Sequence, residues 1–159
     1  MLVVMKKTML LTLLSINFQC YAQQQDNPEE KAVIAVINQF FVSLEKQDTV
    51  LYKQLVFTEG QIWRINSKRK PISHSVRYFK DDLKTFDPEK ILQEKPLSFD
   101  VKVHEGIAIA WVPYEFRVND KFSHCGVDTF TLIKVGTNWR ILNLSYTIDA
   151  GDCQELKNE

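Results

Sequence analysis

Glycine, cysteine and histidine are all scarce in this chain of 159 residues, which has five, three and three of them respectively. With so few glycines, the chain contains no glycine-rich loop of the kind that cradles nucleotide phosphates. His74, His104 and His124 lack the paired spacing of zinc motifs, so neither a metal site nor a cofactor is expected. Neither sign of charge is in large excess, since 20 basic residues balance 20 acidic ones. This balance argues against a general nucleic-acid-binding protein.

One hydrophobic run, residues 9–18, lies near the N terminus and follows Lys6 and Lys7. The run is too short to span a bilayer comfortably, and a small residue, Ala22, stands at a plausible cleavage point. Residues 1–22 are therefore predicted to be a signal peptide. We expect an exported protein, periplasmic or secreted, that does not contact the membrane after cleavage. The mature chain has 18 basic and 20 acidic residues, a net charge of −2.

Cleavage of the signal peptide removes Cys20 and leaves Cys125 and Cys153 in an oxidising compartment. These two cysteines are candidates for a disulfide between a β-strand and the C-terminal tail, residues 151–159. Two free thiols are the alternative, because a disulfide requires Cα atoms within about 7 Å of each other.

The first half of the chain carries three helical patterns. Asn27 with Pro28, Asp48 and Ser73 are typical residues for the starts of these helices. Apolar residues recur at helical spacing along one face of the first and third patterns. The predicted helices cover residues 28–44, 49–55 and 74–86.

A short strand, Gln61–Ile65, is predicted between the second and third helices, and the apolar period changes to two after Pro88. Four long strands then follow: Ser98–His104, Gly106–Val118, Phe122–Val135 and Trp139–Ile148. Helices followed by an antiparallel meander indicate an α+β fold. We therefore predict one domain, residues 23–150, with three N-terminal helices packed on a long, curved, mainly antiparallel sheet.

This order of elements resembles the nuclear transport factor 2-like superfamily, also called the SnoaL-like superfamily, over residues 29–148. The run GIAIAWVPYEFRVNDKFSHCGVDTFTLIKVGTNWRILNLSYT is similar to its secreted bacterial lumazine-binding branch. The resemblance implies a cone-shaped fold and a tendency to form dimers. It does not imply one activity, because the superfamily contains isomerases, dehydratases, hydrolases and non-enzymatic binding domains.

Strand register predicts which side chains face the helices, because successive residues of a strand point to opposite sides of the sheet. The prediction assumes a three-residue loop at 104–106 and a two-residue turn at 119–120. The predicted inner face carries Ile107, Ile109, Trp111, Phe130, Leu132, Trp139 and Ile141. The predicted outer face carries Ala110, Val112, Tyr114, Cys125, Val127, Thr129, Thr131, Leu142 and Leu144. We expect this flat outer face to form a homodimer interface.

The inner face turns polar at one end, and this end is the candidate pocket. Glu115 and His124 are predicted to pair there, either as general acid and base or as a stabilising pair at the rim of the sheet. Asp128, beside Trp111, is the candidate proton-abstracting base, because an apolar wall raises the pKa of a carboxyl group. Its alternative role is to orient a ligand through hydrogen bonds. The residues expected to line this pocket are Trp111, Asn143, Ser145, Tyr78 and Trp63.

Three functions remain open on these grounds, and binding of a small, partly apolar molecule is the preferred interpretation. An isomerase- or dehydratase-type enzyme, with Asp128 as base and His124 or Glu115 as its partner, is the first alternative. The second is a non-catalytic interaction module whose cone is filled by aromatic side chains. An open cavity with a fully hydrogen-bonded Asp128 would favour the binding protein. An open cavity with an unpaired Asp128 would favour the enzyme, and a closed cone would favour the module.

Overall fold

The computed structural model describes residues 27–149 together with residues 153 and 156. The helices of this part of the chain are α1 (Pro28–Glu45), α2 (Thr49–Leu55) and α3 (Phe79–Asp82). Its strands are β1 (Gln61–Asn66), β2 (Ser73–Tyr78), β3 (Leu92–Pro96), β4 (Asp100–His104), β5 (Ile107–Val118), β6 (Lys121–Val135) and β7 (Asn138–Ile148). The predicted α+β class is confirmed. The predicted signal peptide, residues 1–22, lies outside the described residues.

The strands form one mixed sheet in the order β2-β1-β7-β6-β5-β3, and β4 also pairs with β5. Strand β1 runs parallel to β7, and the other paired strands are antiparallel. Helices α1 and α2 pack on one side of this sheet. We call that side the inner face and the opposite side the outer face.

Helix α1 has a capped N terminus that is attached to strands β6 and β7 of the sheet. The side chain of Asn27 accepts a hydrogen bond from the Glu29 amide at 3.0 Å, and Pro28 occupies the first turn. The Glu29 carboxylate accepts hydrogen bonds from Lys134 Nζ and Trp139 Nε1, which join the helix to β6 and β7. Neither α1 nor any other helix among the described residues is long and apolar enough to cross a membrane.

An aromatic cluster forms the centre of the core between the helices and the sheet. Phe40 contacts Phe41, Tyr52, Phe79 and Phe130, with ring centroids 5.9, 5.5, 6.2 and 5.8 Å away. Three of these contacts are edge-to-face, an arrangement that aromatic rings prefer. All five rings are buried. Their packing fixes α1 over the inner face and so positions one wall of the space beneath it.

Residues 73–78 form strand β2, where the sequence predicted a helix that starts at Ser73. In the structure Val76 pairs with Trp63, and both side chains lie on the outer face. The backbone partners that β1 offers override the local helical spacing of the apolar residues. Only Phe79–Asp82 remains helical, and the buried Phe79 joins the aromatic cluster.

Strand β3 has no counterpart in the sequence-based prediction. Its sequence, LQEKP, has no period-two hydrophobic pattern. It is the last strand in the sheet order, after β5, and polar residues and proline are typical of such edge strands. The sequence of such an edge strand contains no pattern that predicts it, although β3 carries a residue of the candidate site.

An extra residue in β6 reverses the predicted orientation of β5. Phe116, rather than Glu115, pairs with His124, because Ser123 has no partner and forms a β-bulge. The even-numbered residues of β5 consequently face inward and are buried: Ala108, Ala110, Val112 and Tyr114. The predicted inward orientation of three residues is wrong, since they are about half exposed on the outer face: Ile107, Ile109 and Trp111.

The loop between β4 and β5 is one residue shorter than predicted. His104 pairs with Ile107 around a two-residue turn, residues 105–106. Val103 consequently pairs with Ala108, and both side chains face the helices. A shift of one residue in pairing moves every side chain of a strand to the other face. The predicted pairing of β5 was shifted by one residue at both of its connections, so the predicted orientation of its side chains was reversed.

A second bulge, at Leu142, changes the orientation along β7. Trp139 and Ile141 are buried on the inner face, as predicted. Beyond the bulge, Asn143 and Ser145 lie on the outer face, opposite to the prediction. The inner positions there are taken by Leu144, Tyr146 and Ile148.

Cys125 and Cys153, the candidate disulfide pair, are bonded in the structure, with their Cα atoms 6.0 Å apart. Both residues are buried. The bond attaches Cys153 to β6, three residues before Asp128. Cys153 is therefore anchored to the strand that forms the floor of the candidate site.

Gly126 permits close contact between β6 and β7, and its replacement is expected to destabilise the fold. A Cβ atom at this position would lie 2.0 Å from the backbone oxygen of Thr147, which also accepts a hydrogen bond from the Tyr114 hydroxyl. Gly126→Ala should therefore lower the free energy of unfolding by about 3 kcal/mol, because the backbone must move. Gly106→Ala is the control, since a Cβ atom there meets nothing within 4 Å. Equal stability of the two variants in urea unfolding would contradict this account.

Candidate functional site

A cavity of about 540 Å³ opens between the helices and the inner face of the sheet. Sites for small molecules usually measure roughly 300–1,000 Å³. The apolar part of the wall comes from Phe40, Leu44, Ile62, Phe86, Leu92, Phe116, Leu144 and Ile148. The charged residues of the lining include acids that are deeply buried and basic groups nearer the mouth.

Asp128 lies at the floor of the cavity, where it is only 1% exposed. Strand β6 places it between Val112 of β5 and Tyr146 of β7. Neither carboxyl oxygen has a hydrogen-bond partner among the described residues. A buried polar group without a partner costs about 1–3 kcal/mol. Burial of this carboxyl group therefore lowers the stability of the empty fold, and the polar group that interacts with it is the neighbouring acid Glu94.

Glu94, on β3, is the second acid of the cavity, and its carboxyl group interacts with that of Asp128. Part of the Glu94 side chain is accessible from the cavity, but protein surrounds its carboxyl group. Burial raises the pKa of Glu94 to about 7, while Asp128 and Arg77 act in the opposite direction. Burial and the charge of Glu94 raise the pKa of Asp128 well above its usual value. The coupled acids therefore retain at least one proton near neutral pH.

Arg77 of β2 is held beside these acids by a network of hydrogen bonds. Its guanidinium donates to Asp82 at 2.5 Å and to the Tyr146 hydroxyl at 3.2 Å, and the Tyr52 hydroxyl donates to Asp82 at 3.0 Å. Burial of the guanidinium opposes its charge, but Asp82 outweighs this effect and raises the pKa of Arg77. The network neutralises Arg77 and fixes the Tyr146 ring in the cavity wall.

His124 lies nearer the mouth, half-buried against aromatic rings. Its ring centroid is 5.0 Å from that of Phe116 and 5.8 Å from that of Tyr114. Burial and the positive charges of Lys68 and Arg64 lower the pKa of His124 to about 4. The imidazole is therefore neutral at neutral pH and can exchange hydrogen bonds with a ligand, but it is not a proton donor there.

Of the three predicted catalytic residues, Asp128 and His124 line the cavity and Glu115 does not. Glu115 pairs with Cys125, and its carboxylate accepts a hydrogen bond from Arg117 at 2.9 Å. The predicted pairing of Glu115 with His124 is wrong, because the bulge in β6 shifts the register by one residue.

None of the other predicted pocket residues lines the cavity: Trp111, Asn143, Ser145, Tyr78 and Trp63. Trp111 is 48% exposed on the outer face for the reason given above. The side chain of Asn143 instead accepts a hydrogen bond from the Gln61 amide at 2.9 Å, beyond the bulge in β7. Trp63 and Tyr78 are exposed because residues 73–78 form a strand beside β1 instead of a helix over the pocket.

Sequence reasoning missed Glu94, Arg77, Arg64 and Tyr146 as site residues. Glu94 belongs to a strand that was not predicted, and Arg77 to a strand predicted as a helix. Tyr146 faces inward only because of the bulge at Leu142. No local pattern marks these residues, since each reaches the cavity through long-range strand pairing.

The arrangement is suited to hydrogen bonding and proton exchange with a bound molecule. Two coupled acids at the floor can accept hydrogen bonds, and one of them can donate its proton. Metal ligands are not grouped: among the described residues, no three His, Cys, Asp or Glu side chains are placed to hold a metal ion.

No protein-family model and no curated protein matches this sequence. Solved structures match its fold. A nuclear transport factor 2 (NTF2-like) superfamily protein from Salmonella enterica serovar Typhimurium is 20% identical, with a TM-score of 0.59, over 77% of this chain and 92% of its own. A protein described as a candidate ketosteroid isomerase from Shewanella frigidimarina is 18% identical, with a TM-score of 0.54, over 72% and 94%. A protein described as a candidate dehydratase of the NTF2-like family from Streptomyces avermitilis is 12% identical, with a TM-score of 0.59, over 77% and 97%.

Identities this low establish a shared fold and not a shared activity. Together with the seven-stranded mixed sheet and its helices, they show that this chain has the NTF2-like cone fold that the sequence resemblance implied.

The raised pKa of Glu94 predicts a specific dependence of stability on pH. The folded state keeps the proton of Glu94 up to about pH 7, whereas the unfolded chain loses it near the usual value of 4.5. The contribution of Glu94 to the free energy of unfolding is therefore complete below pH 4.5 and is lost as the pH rises to 7. His124 acts with the opposite sign over a similar range, since its pKa is lowered. The difference between wild type and Glu94→Gln cancels the contribution of His124 and measures the effect of Glu94 together with its interaction with Asp128.

Glu94→Gln should become more stable relative to wild type by on the order of 2 kcal/mol between pH 4.5 and pH 7.5. Urea unfolding at four or five pH values measures this difference. Glu89→Gln, an exposed substitution, is the control and should follow the wild-type curve. A constant offset between Glu94→Gln and wild type across the range would show that Glu94 is not a perturbed acid.

Proposed function

We propose that this chain is an exported domain that binds a small, partly apolar molecule in the cavity, with a polar group of that molecule against Asp128. The observation that carries the proposal is the open cavity of small-molecule size, with a mainly apolar wall and the buried carboxyl group of Asp128 at its floor. This carboxyl group makes no hydrogen bond, which is the arrangement expected of the enzyme, so the enzyme is kept as the second candidate. A ligand that hydrogen-bonds to Asp128 would remove the cost of leaving it unsatisfied. The open cavity disfavours the interaction module, whose cone would be filled by aromatic side chains.

The apolar wall supports binding of a molecule with a hydrophobic body. Aromatic and aliphatic side chains cover most of the lining, so a ligand would bury apolar surface and gain about 25 cal/mol for each Å² removed from water. The polar groups that are not engaged in the Arg77 network, among them Asp128, Arg64 and His124, lie at different points of this wall, which is typical of sites that orient one ligand.

A proton-transfer enzyme of the isomerase or dehydratase type is the second candidate. It is favoured by the unpaired Asp128 and by the raised pKa values of the coupled acids, which suit a base working near neutral pH. The ionised member of the pair would take a proton from a carbon atom beside a carbonyl group and return it to another atom. Glu94 replaces His124 and Glu115 as the partner of Asp128, because Glu115 lies outside the cavity and His124 is neutral.

Export is supported by two separate features. The apolar run at residues 9–18 follows two lysines, as in a signal peptide. The disulfide between Cys125 and Cys153 would persist in an oxidising compartment. We also propose that the chain belongs to the secreted lumazine-binding branch of the NTF2-like superfamily, and the likeness of residues 106–147 supports this proposal.

Asp128→Asn should weaken ligand binding, because the amide keeps the shape of the side chain but removes the ionisable acceptor. A saturation-transfer NMR screen of aromatic and alicyclic compounds identifies ligands, and calorimetry measures their affinities. We expect a loss of about 3- to 10-fold, the effect of losing one hydrogen bond to a neutral carboxyl group. Asp100→Asn, an exposed substitution on β4, is the control and should bind as the wild type does. Equal affinities for wild type and Asp128→Asn would refute a ligand contact at Asp128.

The same variants separate the binding protein from the enzyme. Bound ketones are incubated with the protein in D₂O, and incorporation of deuterium at the carbon atoms beside the carbonyl is followed by NMR. Catalysed exchange that disappears in Asp128→Asn would establish the proton-transfer function. Binding without any catalysed exchange would leave the binding function alone.

We further propose that the outer face forms a homodimer interface, with a composition different from the one predicted. Its exposed large apolar side chains are Trp63, Val76, Tyr78, Ile107, Ile109 and Trp111. At roughly 100 Å² each, they present about 600 Å² per copy, so two copies would bury more than the ~1,000 Å² of a specific interface. The ion pair between Lys102 and Asp100 balances the charge of this face, so a second copy would meet no net repulsion.

Ile109→Arg is expected to convert the dimer to monomers, because it places an unpaired charge in the centre of the interface. Light scattering during size-exclusion chromatography measures the mass, which should fall by half. Val50→Arg is the control, since Val50 is 66% exposed on α2, away from the outer face. A wild-type mass equal to one chain, or a dimer that survives Ile109→Arg, would refute the interface.

A further inference from the structure

Arg64 of β1 is a cation of the cavity lining that the protein itself does not neutralise. Its side chain borders the cavity near the mouth and is exposed. Its guanidinium makes no hydrogen bond and no ion pair among the described residues. Arg77, the other arginine of the lining, is already committed to Asp82 and Tyr146. The cavity therefore has one uncommitted guanidinium.

Strand pairing places Arg64 at a defined distance from the floor. Arg64 pairs with Tyr146, and Tyr146 pairs with Asp128, so the three residues form one row across β1, β7 and β6. Neighbouring strands are about 4.8 Å apart, which puts the Cα atoms of Arg64 and Asp128 roughly 10 Å from each other. The row lies on the inner face, since all three residues line the cavity.

The two ends of this row differ in charge. The positive charges of Arg64 and Lys68 act on His124 at the mouth, and that of Arg64 also reaches Tyr114 further inside. The floor holds the acids Glu94 and Asp128, which together retain at least one proton near neutral pH. An apolar wall joins the two ends. From the mouth to the floor, the cavity thus offers an anion site at Arg64, an apolar wall and a hydrogen-bond acceptor at Asp128.

We propose that the ligand is an amphipathic monocarboxylic acid with a hydroxyl group at its opposite end. Its carboxylate would bind the Arg64 guanidinium, its apolar body would contact the wall, and its hydroxyl group would donate a hydrogen bond to Asp128. This inference rests on the proposed function, because it concerns the same cavity.

Other classes of ligand fit the lining less well. A cationic molecule would meet the unpaired charge of Arg64, whereas the carboxylates of Asp81 and Asp82 in the lining are already paired with Lys84 and Arg77. A neutral molecule would cover the guanidinium without supplying a partner for it. A molecule with a carboxylate at both ends would place a second negative charge beside Glu94 and Asp128. An acid with a single carboxylate and a distant hydroxyl group satisfies both ends.

Three matched probes test this inference with the full mature chain: 4-hydroxycinnamate, its methyl ester and cinnamate. The ester lacks the negative charge and cinnamate lacks the hydroxyl group, while all three share the apolar body. Calorimetry at pH 7.5 and low salt gives the three dissociation constants. We expect 4-hydroxycinnamate to bind at least about tenfold more tightly than either of the other two.

Two substitutions assign these preferences to residues. Arg64→Gln should bring the acid-to-ester ratio close to one without weakening the ester, because only the carboxylate uses the guanidinium. Arg69→Gln is the control for a general effect of surface charge, since Arg69 is exposed in the loop after β1, and it should keep the ratio. Asp128→Leu should abolish the advantage of 4-hydroxycinnamate over cinnamate, because leucine has a similar branched shape and no acceptor, whereas Asp128→Asn should only reduce it, since the amide oxygen still accepts a hydrogen bond. Arg64 is exposed, so its replacement is not expected to prevent folding.

The possible outcomes distinguish this inference from the proposed function. If acid and ester bind equally well, or the preference for the acid survives Arg64→Gln, the inference is wrong and the cavity remains a binding site. If none of the three probes binds at millimolar concentration, the inference is also wrong. The proposed function then fails only if the compound screen likewise yields no ligand that depends on Asp128.

Discussion

The pairing of β5 with β6 sets which side chains of the sheet face the helices and which face outward. One unpaired residue, Ser123, lets β6 keep Asp128 inward while β5 turns its small side chains toward the helices. Ala108 and Ala110 pack in the core between the sheet and the helices, where Ile107 and Ile109 would lie in the other register. The bulge therefore decides that Tyr114 and Phe116 are the β5 residues that line the cavity and that Ile107, Ile109 and Trp111 lie outside.

An open cone with buried acids lowers the free energy of unfolding. The aromatic cluster around Phe40 compensates for it at one side, and the disulfide anchors β6 at the other. The carboxyl groups of Asp128 and Glu94 remain desolvated, and their raised pKa values express the same free energy that destabilises the empty protein. Buried acids that lower the stability of the fold, in a cavity of ligand size, are typical of functional sites.

The candidate site was only partly accessible to sequence reasoning. Asp128 and His124 could be found because β6 alternates regularly after the bulge, so counting along one strand is sufficient. Glu115 was misplaced because a single extra residue in the neighbouring strand is invisible to the hydrophobic pattern. Glu94 and Arg64 could not be found at all, since their position in the cavity depends on how β3 and β1 pair with distant strands.

Local signals were sufficient to predict the α+β class, the ends of α1 and α2, and the long strands, because caps, turn residues and apolar periods act over a few neighbouring residues. Long-range packing was needed to establish that residues 73–78 form a strand, that β3 exists and which face of β5 is buried. Those features depend on backbone partners far along the chain. Bulges and edge pairing are chosen by the packing of the whole sheet against α1, and no local propensity records that choice.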